Sequence, residues 1–185
     1  ERSASVAFDL VPGIEAPVLA TRLILGIPLD QPLPSGLDVR LGTTRGTNAL
    51  LTGQGSRVAL LTTAPFQDVL LIGHQDRPDL FALDIRKRQP LYETVVGVDE
   101  RVTSDGTIEQ GLDLRHAREQ IVALKERGTQ SLAICLLNSY VNSTHELALA
   151  GLARDVGFEN ISVSSQLSPI AKFVDRCETT VTDAY

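Results

Sequence analysis

The feature that most constrains this chain is an alternation that fills its second half. Asp113 can cap a helix whose apolar positions are Leu114, Ala117, Ile121 and Leu124, and Gly128 ends it. Ser131 to Leu137 follows as an unbroken apolar strand. Ser143-Thr-His-Glu146 fits a capping box, in which the serine hydroxyl and the glutamate carboxylate each satisfy an end donor. That helix runs to about Val156 and stops at Gly157, and Ile161 to Ser164 is a further short strand. Helix, strand, helix, strand implies parallel strands joined by right-handed crossovers. An apolar run without polar alternation needs cover on both faces, and the helices supply it. The expectation is an α/β fold with a mostly parallel or mixed sheet and flanking helices, with Val58–Thr62, Ser131–Leu137 and Ile161–Ser164 as neighbouring core strands.

The first half is less regular. Ser3 to Leu10 alternates in the manner of a half-buried strand. Ala16 to Leu25 reads as a helix with Val18, Leu19, Leu23 and Ile24 on one face, stopped by Gly26 and Pro28. Three prolines make the stretch from Pro28 to Gly36 a loop. Phe66 to Ile72 is a short helix with Pro65 in its first turn. Pro78 and Pro90 bracket an irregular polar segment, Leu91 to Val102 resembles a strand, and Asp105-Gly106 marks a hairpin turn with Ile108 opening the return strand.

A length of 185 residues fits one domain, residues 1–185, with two small lobes as the alternative. Lys and Arg total 17 against 23 Asp and Glu, a net charge of −6, which argues against a nucleic-acid partner because replacing condensed counterions needs a basic face. No apolar run reaches the ~18 residues of a membrane span, and no secretory leader pattern is present, so neither a membrane partner nor export is expected and the cytoplasm is the expected location. Cys135 lies in an apolar strand run and Cys177 far from it in sequence. Without a C-x-x-C pair they read as structural thiols.

Two polar clusters are candidate sites. In the first, Arg40-Leu-Gly-Thr-Thr-Arg-Gly-Thr-Asn-Ala-Leu-Leu51, a strand-like run from Leu37 to Leu41 feeds Gly42, Thr43 and Thr44, and a helical segment starts at Thr47-Asn48. A helix start offers unpaired N–H donors and partial positive charge to an anion. Thr43, Thr44 and Thr47 either hold such a ligand or cap the helix. In the second, Gln75-Asp76-Arg77-Pro78-Asp79, the Arg77 guanidinium is a planar fork for a carboxylate or phosphate, and the alternative is a solvated loop with a local ion pair. His74, His116 and His145 show no metal-ligand spacing, so no metal site is expected. His116 and His145 read as surface positions near helix starts, and His74 is the one histidine beside a polar cluster. Thr179, Thr180 and Asp183 share one side of a terminal helix at their spacing.

The order of these stretches, with Gly53–Thr63, Phe66–Phe81, Val98–Val102, Ala133–Tyr140, His145-Glu146, Ser164-Ser165 and the closing Thr179-Thr-Val-Thr-Asp-Ala-Tyr185, resembles the N-terminal region of the hydantoinase/oxoprolinase family. The resemblance runs from about Pro17 to Tyr185. It implies part of an actin-like (ribonuclease H-like) ATPase fold. It also implies a full-length enzyme that uses ATP and Mg²⁺ to open a five-membered cyclic amide, 5-oxoproline or hydantoin, by phosphorylating the carbonyl before hydrolysis. Gly42, Thr43, Thr44, Thr47, Asn48, Gln75, Asp76 and Arg77 are the ligand-binding candidates. The glycine- and threonine-rich phosphate loop with which the family opens is absent from Glu1–Leu10, so the expectation is a piece of a longer chain, inactive alone, partnered by further domains or a subunit. The alternatives are a non-catalytic structural module of that assembly and part of a related ATP-dependent carboxylase subunit.

Overall fold

A computed structural model of the chain describes residues 14–40, 42–75, 81 and 89–185. The chain divides into two compact units, Glu1–Thr52 and Gly53–Tyr185. In the first, helix α1 (Ala16–Leu25) carries proline in its first turn and ends at Gly26, whose φ of 64° closes the last turn through N–H bonds back to the helix carbonyls. Helix α2 spans Arg45–Thr52. Neither helix buries a residue, and Leu23 and Ile24 of the expected apolar face are exposed. The strand expected from Leu37 is not formed over residues 37–40, and Leu41 lies outside the described residues, as does the expected strand Ser3–Leu10. Among the described residues of its unit no strand is present to pair with the short run as a ladder.

The second unit is built on a four-stranded sheet in the order β2 (Thr94–Val98), β1 (Val58–Thr63), β5 (Ser131–Cys135), β6 (Asn160–Val163), all pairs parallel. The three expected core strands are neighbours. Every residue of β1 and β5 is buried, because both faces are covered. Ala59, Leu61, Leu132 and Ile134 pack under helices α4 (Leu114–Glu126) and α5 (Thr144–Val156). Val58, Leu60, Ala133 and Cys135 meet helix α7 (Phe173–Ala184) and the short α3 (Val69–Ile72). Successive side chains point to opposite faces, so two apolar layers require the continuous apolar runs seen in the sequence.

The segment expected as a helix from Phe66 is divided into a 3-10 turn at Ala64–Phe66 and α3. The long strand expected over Leu91–Val102 is also divided. β2 ends at Val98, and after Asp99-Glu100 the chain continues as β3 (Arg101–Val102), which pairs antiparallel with β4 (Ile108–Gln110) through the expected Asp105-Gly106 turn. Asp113 caps α4 by accepting the N–H groups of Arg115 and His116 at 2.9 and 3.1 Å.

Candidate functional site

From β1 the chain moves to β2 on one side, and its return through α4 places β5 on the other side. The two halves of the sheet are thus wound in opposite directions. In such sheets the carboxyl ends of the central strands form a crevice, because the connections leave on opposite faces. Here a cleft opens beyond Thr63 of β1 and Asp99-Glu100 after β2.

The residues that fill this edge are polar and almost fully buried. Thr63 Oγ1 donates to Glu100 Oε1 and accepts the Leu137 N–H at 2.9 Å, joining the ends of β1 and β5. Glu100 Oε2 lies 2.8 Å from His145 Nδ1. Glu100 and His145 are 3% and 6% exposed, yet Glu100 also lines a cleft of about 550 Å³ shared with Thr63, Asp99, Arg101, Glu109 and Gln110. No described hydrogen bond uses His145 Nε2.

A second cluster backs the first. Glu146 Oε1 accepts the Leu136 N–H at 2.9 Å and the Ser164 hydroxyl at 2.6 Å, while Oε2 accepts the Ser165 N–H at 2.9 Å. Arg176 donates from Nη1 to the Ser139 and Ser164 hydroxyls and from Nη2 to the Leu136 carbonyl. Its closest approach to Glu146 is 4.0 Å, so Ser164 relays between the two charges rather than a direct ion pair forming. Both side chains are fully buried, and Arg176 Nε has no partner. Asn138, at the end of β5, holds a φ of 59° while its side-chain N–H reaches the Val102 carbonyl at 2.9 Å. A left-handed conformation at a non-glycine costs energy and persists where surrounding bonds fix it.

Of the sequence-based candidates, Thr43, Thr44, Thr47 and Asn48 are exposed in the first unit, and Gln75 lies in the second. Thr43 Oγ1 accepts the Arg45 N–H at 3.1 Å, and Thr44 accepts the Asn48 N–H through its carbonyl at 2.8 Å and reaches the Asn48 side chain at 3.5 Å. Thr43 thus satisfies one N–H at the start of α2. Gly42 has open space around its α-carbon. Gln75 adopts a φ of 59°. Asp76 and Arg77 lie outside the described residues.

Three sequence expectations are corrected. His145 is buried against Glu100 rather than a surface position. The capping box does not form: Ser143 makes no side-chain cap, Asn142 Oδ1 instead accepts the Thr144 N–H at 3.1 Å, and Glu146 turns inward. The stripe Thr179, Thr180, Asp183 divides. Thr180 is buried and bonds the Arg176 carbonyl, Thr179 is exposed and bonds the Asp175 carbonyl, and Asp183 accepts the Ser162 hydroxyl at 2.7 Å. His74, Asp175 and Glu178 also bring one ligand-type atom each within 4.8 Å of one another, a grouping that sequence spacing does not reveal. His74 Nε2 is 2.8 Å from Asp175, and Lys172 already pairs with the same carboxylate at 3.7 Å.

Glu146 and His145 carry a legible signal all the same. With Leu149, Ala150 and Ala153 they occupy the buried face of α5 at helical spacing. Cys135 and Cys177 are free buried thiols 3.0 Å apart. The hydrogen bond to Cys135 and burial push the Cys177 thiol far above its ordinary range, so Cys177 is held as an inert thiol.

A parallel sheet covered by helices on both faces defines an α/β module. The chain matches the hydantoinase/oxoprolinase N-terminal region over residues 28–157 and belongs to that family. It is 38% identical to the 5-oxoprolinase of Saccharomyces cerevisiae over 187 aligned positions, covering 86% of this chain and 14% of that protein. It is 31% identical to the acetophenone carboxylase gamma subunit of Aromatoleum aromaticum, covering 87% and 24%. Among solved structures it is similar to the ATP-dependent caprolactamase of Pseudomonas jessenii, with a TM-score of 0.69 and 27% identity over 78% of this chain and 22% of that one. The chain thus spans about a seventh of its yeast relative. Among the described residues no helix is long and apolar enough to cross a membrane.

Proposed function

We propose that this chain is the N-terminal region, residues 1–185, of a cytoplasmic ATP-dependent hydrolase that opens a five-membered cyclic amide, 5-oxoproline or hydantoin. The observation that carries the reading is similarity to 5-oxoprolinase along 86% of the chain, joined to the polar cleft at the sheet's carboxyl edge. ATP is a co-substrate of this reaction, and phosphorylation of the ring carbonyl turns a poor electrophile into one that water can attack. Mg²⁺ would neutralise the phosphates during transfer.

The fit of the candidate residues is partial. Thr43, Thr44, Thr47 and Asn48 surround the first turn of α2, where N–H groups lack helical acceptors, so this turn suits a phosphate. Thr43 already spends an oxygen on the Arg45 N–H. The Arg77 guanidinium is a planar fork of the kind that takes a phosphate or carboxylate. Further domains or a partner subunit complete the enzyme in this reading. Similarity to a carboxylase subunit favours a second reading, in which the same scaffold activates a ketone for carboxylation.

The test is a substrate panel on the full-length protein with Mg²⁺ and ATP, following ADP and the ring-opened amino acid by chromatography. ADP formation dependent on 5-oxoproline or hydantoin is the expected result. ADP formation that requires a ketone and bicarbonate would select the carboxylase reading, and no coupled turnover would reject both.

A further inference from the structure

We propose that Glu100 is the general base of this site, held in place by Thr63 and His145. The proposal rests on the cyclic-amidase reading and adds to it a group that removes the proton from the attacking water. Glu100 joins properties that no other carboxylate at this edge combines among the described residues. It lines the cleft, it is 3% exposed, and each of its oxygens has a fixed neighbour, the Thr63 hydroxyl on Oε1 and His145 Nδ1 at 2.8 Å on Oε2. Glu146 is also buried, but three donors and the nearby Arg176 occupy it, and it does not line the cleft. Asp99 and Glu109 line the cleft without such anchoring and are not buried to this degree.

A carboxylate oxygen has two lone-pair positions, so an oxygen that accepts one bond can still take a proton. Thr63 is fixed in turn by the Leu137 N–H. Glu100 is therefore aimed by the ends of two adjacent strands and the first turn of α5. That is the placement a proton acceptor needs, because proton transfer depends on reach and orientation before anything else.

The step balances as follows. One water O–H bond breaks, and its proton goes to the Glu100 carboxylate. The oxygen lone pair forms the new bond to the phosphoryl-activated carbonyl carbon. When the ring C–N bond breaks, its electron pair stays on nitrogen, nitrogen takes the proton back from Glu100, and the new hydroxyl loses its proton as the carbonyl of an acyl phosphate forms. A second water then adds to that carbonyl carbon, and phosphate departs with the electron pair of its C–O bond and one proton of that water. Glu100 ends as it began, and the products are the open-chain amino acid, ADP and phosphate. His145 and Thr63 are positioning residues that touch Glu100.

The experiment uses the full-length protein and hydroxylamine, a nucleophile that attacks activated carbonyls as the neutral amine and needs little help from a base. Glu100→Gln is expected to lower water-dependent ring opening by about 10²-fold, within the range for loss of one acid–base group. Hydroxamate formation from the same substrate and ATP should fall less than threefold. His145→Asn keeps a donor at the Nδ1 position and should retain ring opening within about threefold, whereas His145→Leu should lose it together with Glu100→Gln. Equal loss of water and hydroxylamine reactions in Glu100→Gln, or no loss, overturns the proposal. If Glu100→Gln does not fold, Glu100→Asp replaces it, withdrawing the carboxylate by one methylene, and the same split between the two nucleophiles is required. Failure of the wild-type protein to form either product would reject the amidase reading itself, a result distinct from any outcome in the variants.

Discussion

The two ends of one sheet treat charge in opposite ways. At the amino edge Arg57 pairs with Glu93 at 2.8 Å with both side chains about half exposed, and Gln130 accepts the Arg57 N–H. At the carboxyl edge Arg176, Glu146 and Glu100 are buried, and serine, threonine, histidine and backbone groups are spent on them. The first arrangement costs little and returns little. The second takes charges out of water, and apolar residues of similar volume would be as stable or more so. Among the described residues charge is buried at the edge where the cleft opens, the placement in which functional groups concentrate.

The contrast is broken most directly by comparing Arg176→Ala with Arg57→Ala. The first leaves Glu146 buried beside an empty space and should cost about 3–5 kcal/mol, read from urea unfolding. The second should cost less than about 1 kcal/mol. Similar losses would mean that the carboxyl edge is hydrated and that the contrast is false. Arg176→Met combined with Glu146→Gln, which removes both charges, should be less damaging than Arg176→Ala alone. The double change sharpens the argument by separating an unpaired charge from lost packing.

Glycine replacements test the edges next. A Cβ on Gly97 of β2 would lie 2.6 Å from Gln67 Nε2 and 2.9 Å from the Ala64 α-carbon. Backbone must move there, so Gly97→Ala should cost about 1–3 kcal/mol. The three atoms nearest to a Cβ on Gly55 all belong to the Tyr185 ring, a side chain that can rotate away, so Gly55→Ala should cost less in the same unfolding assay.

The smallest effect concerns pH. The N–H groups of His116 and then Arg115 hold the Asp113 carboxyl below its ordinary 3.8. A carboxyl depressed in the folded state stabilises fully above pH 3.8, and the contribution is lost as pH falls below that value through the folded pKa. Asp113→Asn should flatten only that acid limb of a melting-temperature profile. A change confined to neutral pH would assign the cap a different role.

Much of the fold was legible because it rests on patterns read locally. Val58–Thr62 and Ser131–Leu137 announce two-sided cover, and Asp113, Gly128 and Gly157 set helix limits where the structure has them. The break at Asp99-Glu100 was not legible, since nothing in Leu91–Val102 marks where the chain leaves the sheet. The site was read less well than the fold. Ser143-Thr-His-Glu146 satisfies a local motif, and local reading stops there. Only the crossing of α5 over the ends of β5 and β6 offers Glu146 the Leu136 N–H and the Ser164 hydroxyl instead. Arg176 was hidden likewise, because a cation amid a polar helix reads as solvated until Ser139, Ser164 and the Leu136 carbonyl converge on it.

Ser56 donates its N–H to the Tyr185 carbonyl at 2.7 Å, and the Tyr185 ring lies over Gly55. The start and finish of the second unit therefore share one corner, at the amino edge of the sheet. The same adjacency makes the unit a natural subject for circular permutation. A short glycine-serine bridge from Tyr185 to Gly55, with new ends opened in the turn at Asp105-Gly106, would reorder the covalent chain while leaving the four parallel strands in place.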